Sequence, residues 1–576
     1  MPSLHFMRTI ILLPFLSATL AHAAEPLDRF APKEPEPMAK KKEGKPEPKP
    51  SAAKAKRGNE QAGIKLRGLV FVATKPQLRT GGVKAMDGVR IEGVPLIDRA
   101  DFIQRMKNFI GQALSLDLVN AIALETARYF REHDHPVVSV VAPKQEITSG
   151  VVQFLVTEAR LGTVRLTGNH HFRSDLFKVG LHPDDPILMN QLDADTSFYN
   201  RNPFRSVTAE LSPGKHPGET DVTLDVKDKF PLRVFAGYDN SGVKSTGENK
   251  LFTGFNYGNV FGIGDEFSYQ YSSSADFQQL LAHSASWTVP LPWHHIFQIS
   301  GTYSESKPKT AAGAPQLNGT TWQLGAHYII PLPPVHKFTH ELNIGYDFKY
   351  TDNNLQFGGT QVFDTPIDIS QFSIAYSAAL PDKLGRTSLS IAGIWSPGGM
   401  GSNNNDAAFG MARSGSKANY FYATLALDRI TRLPFGCSWS LNVKGQLASG
   451  NLQATEQFLL GGESTVRGYD ELAAAGDQGI LMRNEIYAPS FSAGRLVGCK
   501  KAQDQFQFLV FHDIGYTEVK HPLIGERKGT TLQSAGVGAR WQIKDNLSAH
   551  FDYGWQIDDI GLKDKSRAHV GVTLSY

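Results

Sequence analysis

Histidine and carboxylate side chains are the residues of this chain whose types could support metal or acid–base chemistry. His133, Asp134 and His135 are three adjacent potential metal ligands, and His170 and His171 follow another predicted strand. Adjacent ligands on one turn rarely converge on a single ion, because protein metal sites use spaced ligands. The sequence also lacks a nucleophile elbow, a phosphate-binding loop and the spacing of a zinc site. We therefore expect no enzyme, no metal and no cofactor.

The carboxyl-terminal segment predicts a strand, and it indicates the kind of fold that would position the functional residues. Residues 568–576 alternate strictly between apolar and polar or small side chains and stop on an aromatic residue, Tyr576. Val570, Val572 and Leu574 share a face with Tyr576, whereas His569 and Thr573 lie on the other. Such a final strand is typical of a transmembrane β-barrel. A half-buried strand of a soluble sheet shows the same alternation, so other features must decide.

The amino terminus indicates export. Arg8 precedes an apolar run from Thr9 to Leu20, which is followed by Ala21-His22-Ala23, so we predict a signal peptide at residues 1–23. No stretch reaches the roughly 20 apolar residues that a membrane-spanning helix needs. A membrane protein without such helices must be a closed barrel, since lipid cannot satisfy an open sheet edge. The net charge of +3 gives no sign of a nucleic-acid partner.

Three regions of different composition follow the signal peptide. Residues 24–63 are rich in Pro, Lys and Glu and predict a disordered or polyproline II linker, either a solvated spacer or a tether that reaches across a barrel. Residues 64–158 and 159–229 predict two α+β modules, each with a strand, two helices and two further strands. The predicted helices are 98–109, 116–132, 174–179 and 189–200.

Residues 230–576 predict a barrel of sixteen antiparallel strands. Helical periodicity disappears, and alternating segments of about ten residues suit strands that cross a bilayer at a tilt. Short turns such as 382–383 alternate with long connections such as 397–417 and 449–478. The sixteen segments start near residues 232, 248, 265, 281, 295, 319, 337, 366, 386, 418, 438, 479, 504, 530, 545 and 567.

Two short motifs in the barrel region resemble signatures of the insertase and translocase superfamily of outer-membrane barrels. They are Val466-Arg467-Gly468-Tyr469 in the longest late loop and Phe511-His512-Asp513-Ile514-Gly515 on a later strand. The resemblance implies that the sixth loop folds back into the lumen and that Arg467 pairs with Asp513. Gly468 would allow a sharp loop tip, and Tyr469 would pack on the wall.

Further segments narrow the resemblance to the haemolysin secretion/activation family, the transporters of two-partner secretion. These segments are residues 143–151, 199–205, 213–221 and 238–242. The family implies that 64–158 and 159–229 are periplasmic POTRA domains before an outer-membrane barrel. It implies a large secreted exoprotein with an amino-terminal secretion domain as partner, besides membrane lipid and the barrel assembly machinery, and we expect a monomer. The amphipathic plug helix usual in the family is not evident in residues 25–63.

The sequence leaves two alternatives to secretion open, and it also predicts one covalent feature. A barrel-assembly insertase would usually carry more POTRA domains, and a passive porin or uptake channel would have neither such domains nor a loop lock. Cys437 and Cys499 flank neighbouring predicted strands at the same rim, so a disulfide between them is expected. The nature of the exported cargo, whether adhesin, cytolysin or contact-dependent toxin, stays open.

Overall fold

The computed structural model describes residues 27–34, 63–309, 319–335, 337–352, 366–499, 501–562 and 564–576. The predicted signal peptide, 1–23, and most of the predicted linker, 24–63, lie outside the described residues. The described chain forms two compact units. One holds residues 63–201 and 205–229, and the other holds 27–34, 202–204 and the chain from 230 onwards.

The first sheet of the smaller unit has four strands with two helices. Its order is β2-β1-β4-β3, with β1 parallel to both β2 and β4. Both helices carry apolar residues on one face, and Ser115 caps the start of α2, where its hydroxyl accepts from the Leu118 amide. The elements are β1 (Gly68–Val72), β2 (Gly88–Glu92), α1 (Ala100–Lys107), α2 (Leu116–Glu132), β3 (Val138–Val141) and β4 (Val151–Glu158).

The second sheet of this unit has three strands, in the order β5-β7-β6. The predicted helix at 174–179 was wrong: only a single 3-10 turn, Ser174–Leu176, forms, because Phe177 already has an extended backbone. No helix among the described residues is long and apolar enough to cross a bilayer. The elements are β5 (Arg160–Thr167), α3 (Met189–Tyr199), β6 (Arg205–Pro213) and β7 (Glu219–Asp228).

The larger unit contains a closed antiparallel barrel. Its sixteen strands are β8–β18 and β21–β25, and β25 pairs with β8 to close it. In chain order the elements are β8 (Leu232–Asp239), β9 (Lys250–Tyr257), β10 (Glu266–Ser274), β11 (Leu280–Pro290), β12 (Ile296–Ser306), β13 (Gly319–Pro331), β14 (Thr339–Thr351), β15 (Ile367–Pro381), β16 (Gly385–Pro397), α4 (Asp406–Ala412), β17 (Asn419–Arg432), β18 (Ser438–Ala448), β19 (Phe458–Leu460), β20 (Ala474–Gly476), β21 (Gln478–Tyr487), α5 (Ala493–Leu496), β22 (Asp504–Glu518), β23 (Gly529–Ile543), β24 (Leu547–Gln556) and β25 (Ser566–Ser575).

The barrel confirms the predicted fold, and each barrel strand starts within two residues of its predicted position. Large apolar side chains such as Phe372, Trp395 and Phe551 are exposed on the outer surface, whereas polar ones such as Gln270 and Ser534 are buried inside. This arrangement follows from the two-residue period of a strand. The barrel is therefore apolar where lipid would lie and polar within.

Strands β25 and β8 form the seam that closes the barrel. Regular pairing runs from Gly571 opposite Asp239 to Ser575 opposite Phe235. Tyr576 then exchanges two backbone hydrogen bonds of 2.9 Å with Val234. By comparison, β22 and β23 pair along the whole of Asp504–Glu518. The ladder of backbone hydrogen bonds between β25 and β8 is therefore short compared with the ladder between β22 and β23.

Candidate functional site

The connection between β18 and β21, residues 449–477, folds into the barrel. Leu452, Leu460, Val466 and Tyr469 are completely buried there. The short hairpin β19–β20 gives the segment its own backbone hydrogen bonds, as a segment inside a barrel requires. This inward loop, hereafter the lumen loop, brings the predicted arginine motif to the inner wall.

Arg467 and Asp513 form the central contact, hereafter the loop lock. Arg467 Nε lies 2.7 Å and Nη2 2.8 Å from the two carboxylate oxygens of Asp513, and the Arg467 amide lies 3.2 Å from Oδ2. Neither side chain is exposed. A two-pronged guanidinium–carboxylate pair away from bulk water is strong and directional. The structure thus brings together the two residues that the resemblance paired.

Further charges surround the lock and balance it. Arg467 Nη1 lies 2.7 Å from Glu485 Oε1 and 3.5 Å from Asp552 Oδ2; with no hydrogen bond found for Nη1 among the described residues, these contacts are electrostatic. Arg483 lies directly opposite Asp513 across the strand pair, and Arg540 pairs with Asp552 at 2.8 Å. Three guanidinium groups thus face three carboxylates. Burial opposes the charge of Arg467, but these carboxylates outweigh it and raise the pKa of its guanidinium.

The Phe511 ring packs against the guanidinium group of Arg467. The Arg467 Cζ lies 3.5 Å from the centre of the Phe511 ring, which is a cation–π contact. Gly536 makes room for that ring, since a Cβ there would lie 2.3 Å from Phe511 Cζ. The aromatic residue of the strand motif therefore packs directly against the arginine of the loop lock.

Gly468 lets the loop tip touch the wall. Its φ is +89°, and a Cβ would lie 2.9 Å from the carbonyl carbon of Gly554 on β24. Gly554 in turn has no room for a Cβ, which would lie 2.7 Å from the Gly468 amide nitrogen. The Gly468 amide donates to His569 Nε2 at 3.1 Å, and its carbonyl accepts from Gln556 at 2.8 Å. Two glycines are thus needed where the backbones cross.

Val466, Tyr469 and Gly515 complete the packing of the tip. A Cβ on Gly515 would lie 2.7 Å from Leu460 Cδ2 and 3.2 Å from Val466 Cγ2, so a side chain there would push the loop away. The Tyr469 hydroxyl lies 2.8 Å from the Asp558 carbonyl oxygen and 3.0 Å from that of Gln533. Each residue of the two motifs that we singled out therefore contacts the tip or its seat.

A second ion pair anchors the other arm of the lumen loop. Lys349 Nζ on β14 lies 2.9 Å and 3.2 Å from the two oxygens of Glu456, and the Tyr422 hydroxyl donates to Glu456 at 2.8 Å. Gln446 donates to the Glu456 carbonyl at 2.9 Å. All four residues are buried. The loop is therefore held by charge at two separate strands, β14 and β22.

Helix α4 covers an apolar cluster beside this second anchor. Its Phe409 is fully buried and packs with residues of β15, β16 and β17 and with Leu452 of the lumen loop. Gln453 donates to the Phe409 carbonyl at 3.0 Å, and Arg413 donates to the Leu452 carbonyl and pairs with Asp477. The long 397–417 connection thus folds onto the lumen loop.

The remaining candidate residues of the sequence do not form a site. His133 Nδ1 lies 2.8 Å from the Tyr129 carbonyl, and Asp134 accepts from the Asn190 amide at 2.7 Å. His135 lies 3.6 Å from Glu158, so the three side chains have separate partners. Within the described parts of the chain, no group of three or more His, Cys, Asp or Glu is placed to hold a metal ion.

The predicted disulfide is contradicted, because Cys437 and Cys499 are both free. Cys437 immediately precedes β18, whose first residue, Ser438, pairs with Tyr487 at the end of β21. Cys499 lies well beyond that point, after α5, and its amide donates to the Gly494 carbonyl. The turn between β21 and β22 is therefore not a simple hairpin, because α5 lies between the end of β21 and Cys499.

Five important contributors to the site are not evident from the sequence: Lys349, Glu456, Glu485, Asp552 and Gly554. For Lys349, Glu485 and Asp552 the signal is a charge at an inward position of a membrane strand, which is costly unless it is paired. Glu456 and Gly554 had no such signal. Their roles arise from contacts between segments far apart in the chain.

Comparisons with known proteins agree on one family. The family model of the haemolysin secretion/activation protein ShlB/FhaC/HecB matches residues 218–541. The chain is 24% identical over 493 residues to the heme/hemopexin transporter protein HuxB of Haemophilus influenzae, covering 82% of this chain and 83% of that protein. It is 24% identical over 421 residues to the hemolysin transporter protein ShlB of Serratia marcescens, covering 71% and 72%.

Solved structures show the same fold. CdiB from Escherichia coli superposes with a TM-score of 0.72 at 17% identity, covering 92% of both chains. CdiB from Acinetobacter baumannii gives a TM-score of 0.62 at 16% identity, covering 95% of both. At these identities the likeness concerns architecture, a barrel preceded by smaller sheets.

Proposed function

The chain belongs to the haemolysin secretion/activation family. On that premise we propose that the loop lock fixes the path through the barrel along which the protein exports its partner. The protein is an outer-membrane transporter of two-partner secretion, and it moves a large secreted exoprotein across that membrane. The observation that carries the proposal is the lumen loop, whose tip is fixed to the inner wall by Arg467 and Asp513. A passive porin would need no such lock.

We propose that the lock keeps the lumen loop ordered while the chain passes. A loop of this length, free inside the barrel, would sample many conformations and obstruct the lumen. Arg467 and Asp513 remove that freedom, and Gly468 and Tyr469 fix the direction of the tip. The transport needs no reaction at a catalytic group. Folding of the exoprotein outside the cell would supply the drive.

The two sheets of the smaller unit supply the proposed capture step. We propose that residues 64–158 and 159–229 are POTRA domains that bind the exoprotein's amino-terminal secretion domain in the periplasm. β6 is an edge strand of the second sheet, and an extended peptide can add to such an edge through main-chain hydrogen bonds. Leu116 and Leu124 of α2 are more than half exposed and offer apolar contact in the first domain.

The terminal strand supports a proposal about biogenesis. Tyr576 is 93% exposed, although its backbone is bonded to Val234. We propose that this aromatic side chain is recognised by the barrel assembly machinery, that the outer apolar surface then contacts lipid, and that the protein acts as a monomer.

The test of the proposed function is Arg467→Ala. Removing the guanidinium leaves Asp513 buried beside Glu485 with less positive charge, so the loop should leave the wall. We expect no exoprotein in the medium while the barrel still reaches the outer membrane, measured by heat-modifiable mobility on gels. The matched control is Arg495→Ala, an exposed arginine on α5, which should secrete normally. Normal secretion by Arg467→Ala would reject the lock as essential.

A further inference from the structure

The smaller unit contains two modules, the first with β1–β4 and the second with β5–β7, and one residue joins them. Only Ala159 lies between the end of β4 and the start of β5. Its amide donates to the Val137 carbonyl at 3.1 Å, and its carbonyl accepts from the Ile187 amide at 3.3 Å. A connection of one residue can act as a hinge, because rotation about its φ and ψ swings one module relative to the other.

Helix α3 of the second module begins without a cap of its own. Its N-cap position is Leu188, which forms no side-chain capping bond, and its first turn contains no acidic residue. The first amides of a helix have no acceptors within the helix. The start of α3 is therefore open to an acceptor from another part of the chain.

Asp134 of the first module provides that acceptor. Its Oδ1 accepts from the Asn190 amide at 2.7 Å, and its main-chain carbonyl accepts from the Met189 amide at 3.2 Å. Met189 and Asn190 are the first two residues of α3. A carboxylate at this position satisfies a helix amide and faces the positive end of the helix dipole. A residue of the first module thus caps a helix of the second.

The neighbours of Asp134 hold it in an uncommon backbone conformation. Its φ is +75°, in the left-handed region that aspartate tolerates better than most residues. The His133 ring stacks on Tyr129, with 4.1 Å between the ring centres, and the His135 amide donates to the Phe130 carbonyl at 3.0 Å. Both partners belong to α2. The two histidines therefore fix the turn from which Asp134 reaches the second module.

We propose that Asp134 is a positioning residue that fixes the second module against the first, so that the exoprotein's secretion domain meets both sheets in a single arrangement. Ala159 and Asp134 are two separate attachments, and together they suppress the rotation that one attachment permits. A binding surface that is already fixed loses less conformational entropy when its ligand binds. This inference rests on the proposed capture step for the identity of the ligand, whereas the fixed orientation is a property of this chain.

Pulsed electron–electron distance measurements between two spin labels test the orientation. The labels are attached to cysteines at the exposed positions 107, at the end of α1, and 215, between β6 and β7. The measurement uses the full chain in lipid nanodiscs, with Cys437 and Cys499 replaced by serine. Asp134→Gly removes the cap but adopts the left-handed backbone without strain. Loss of a cap corresponds to about a fivefold change in an equilibrium, so the ratio of displaced to fixed modules should rise by that factor.

Two further variants separate the cap from other effects. Asp134→Asn keeps both the tolerance of positive φ and a side-chain oxygen for capping, so it should retain the distance distribution of the unmodified protein. Asp184→Gly replaces an exposed aspartate of the second module that also has a positive φ, +69°, and it should leave the distribution unchanged. A distribution in Asp134→Gly identical to that of the unmodified protein would overturn the proposal.

The affinity of the same variants for the purified secretion domain tests the use of this orientation. The dissociation constant should rise in inverse proportion to the fraction of fixed modules, and Asp134→Asn should restore the unmodified value. An unchanged dissociation constant in Asp134→Gly, despite a smaller fixed fraction, would reject the role of the orientation in capture. Absence of binding by the unmodified protein would instead refute the proposed capture step, and the distances would then decide whether Asp134 fixes the modules.

Discussion

Asp513→Asn should release the loop lock, and trypsin can report the release at Arg467 itself. Arg467 is fully buried, so cleavage after it requires the lumen loop to leave the wall. Removing one partner of a buried ion pair costs about 3–5 kcal/mol. Arg467 keeps Glu485 at 2.7 Å and Asp552 at 3.5 Å, so we expect the lower end, about 3 kcal/mol, for the undocking equilibrium.

A change of about 3 kcal/mol corresponds to roughly a hundredfold larger undocked population. The rate of cleavage after Arg467 should rise by that factor when trypsin is added to intact cells, with the fragment identified by mass spectrometry. The control is Asp382→Asn, which removes a charge from the half-exposed pair with Arg429 and should barely change the rate. An unchanged cleavage rate in a folded Asp513→Asn barrel would refute the lock.

Three further variants probe the packing of the lumen loop. Gly468→Ala should abolish secretion without preventing barrel insertion. In the control, Gly450→Ala, the added Cβ meets no atom within 4 Å, so this variant should secrete normally. The measurement is the amount of exoprotein in the medium. Lys349→Met should free the second arm and accelerate proteolysis within residues 449–477, and the exchange Lys349→Glu with Glu456→Lys should partly restore protection. Phe409→Ala should weaken docking of the 397–417 connection by about 3–5 kcal/mol, detected as faster cleavage there; unchanged protection would show that the apolar cluster is dispensable.

The barrel could be predicted from sequence because each strand carries its own signal. Alternation of apolar and polar residues is local, so it located every barrel strand start closely. In contrast, β2 was missed. It is a five-residue strand, Gly88–Glu92, without a single buried residue, and it becomes a strand only by parallel pairing with β1.

The site could be predicted in part because its two motifs are also local signals, each continuous in the sequence. The two motifs identified Arg467 and Asp513, but nothing local distinguishes Gly554 from the other glycines of the barrel strands. Its necessity appears only where the loop tip crosses β24. Residues 27–34 show the opposite error, because a composition rich in Pro and charge predicts solvation, yet Leu27 and Phe30 find an apolar site on β11. The disulfide prediction failed because α5 was not foreseen.

The short ladder between β8 and β25 has a kinetic consequence. These strands stand at opposite ends of the barrel sequence, so their pairing closes the longest loop in it and bears the largest closure entropy. Pairing of such high contact order comes late, after the hairpins between successive strands have formed. Until Gly571 reaches Asp239, the nascent sheet has two open edges that can pair with other chains. Maturation of the protein should therefore be limited by this last closure, and substitutions at Val234 or Tyr576 should slow biogenesis more than they weaken the finished barrel.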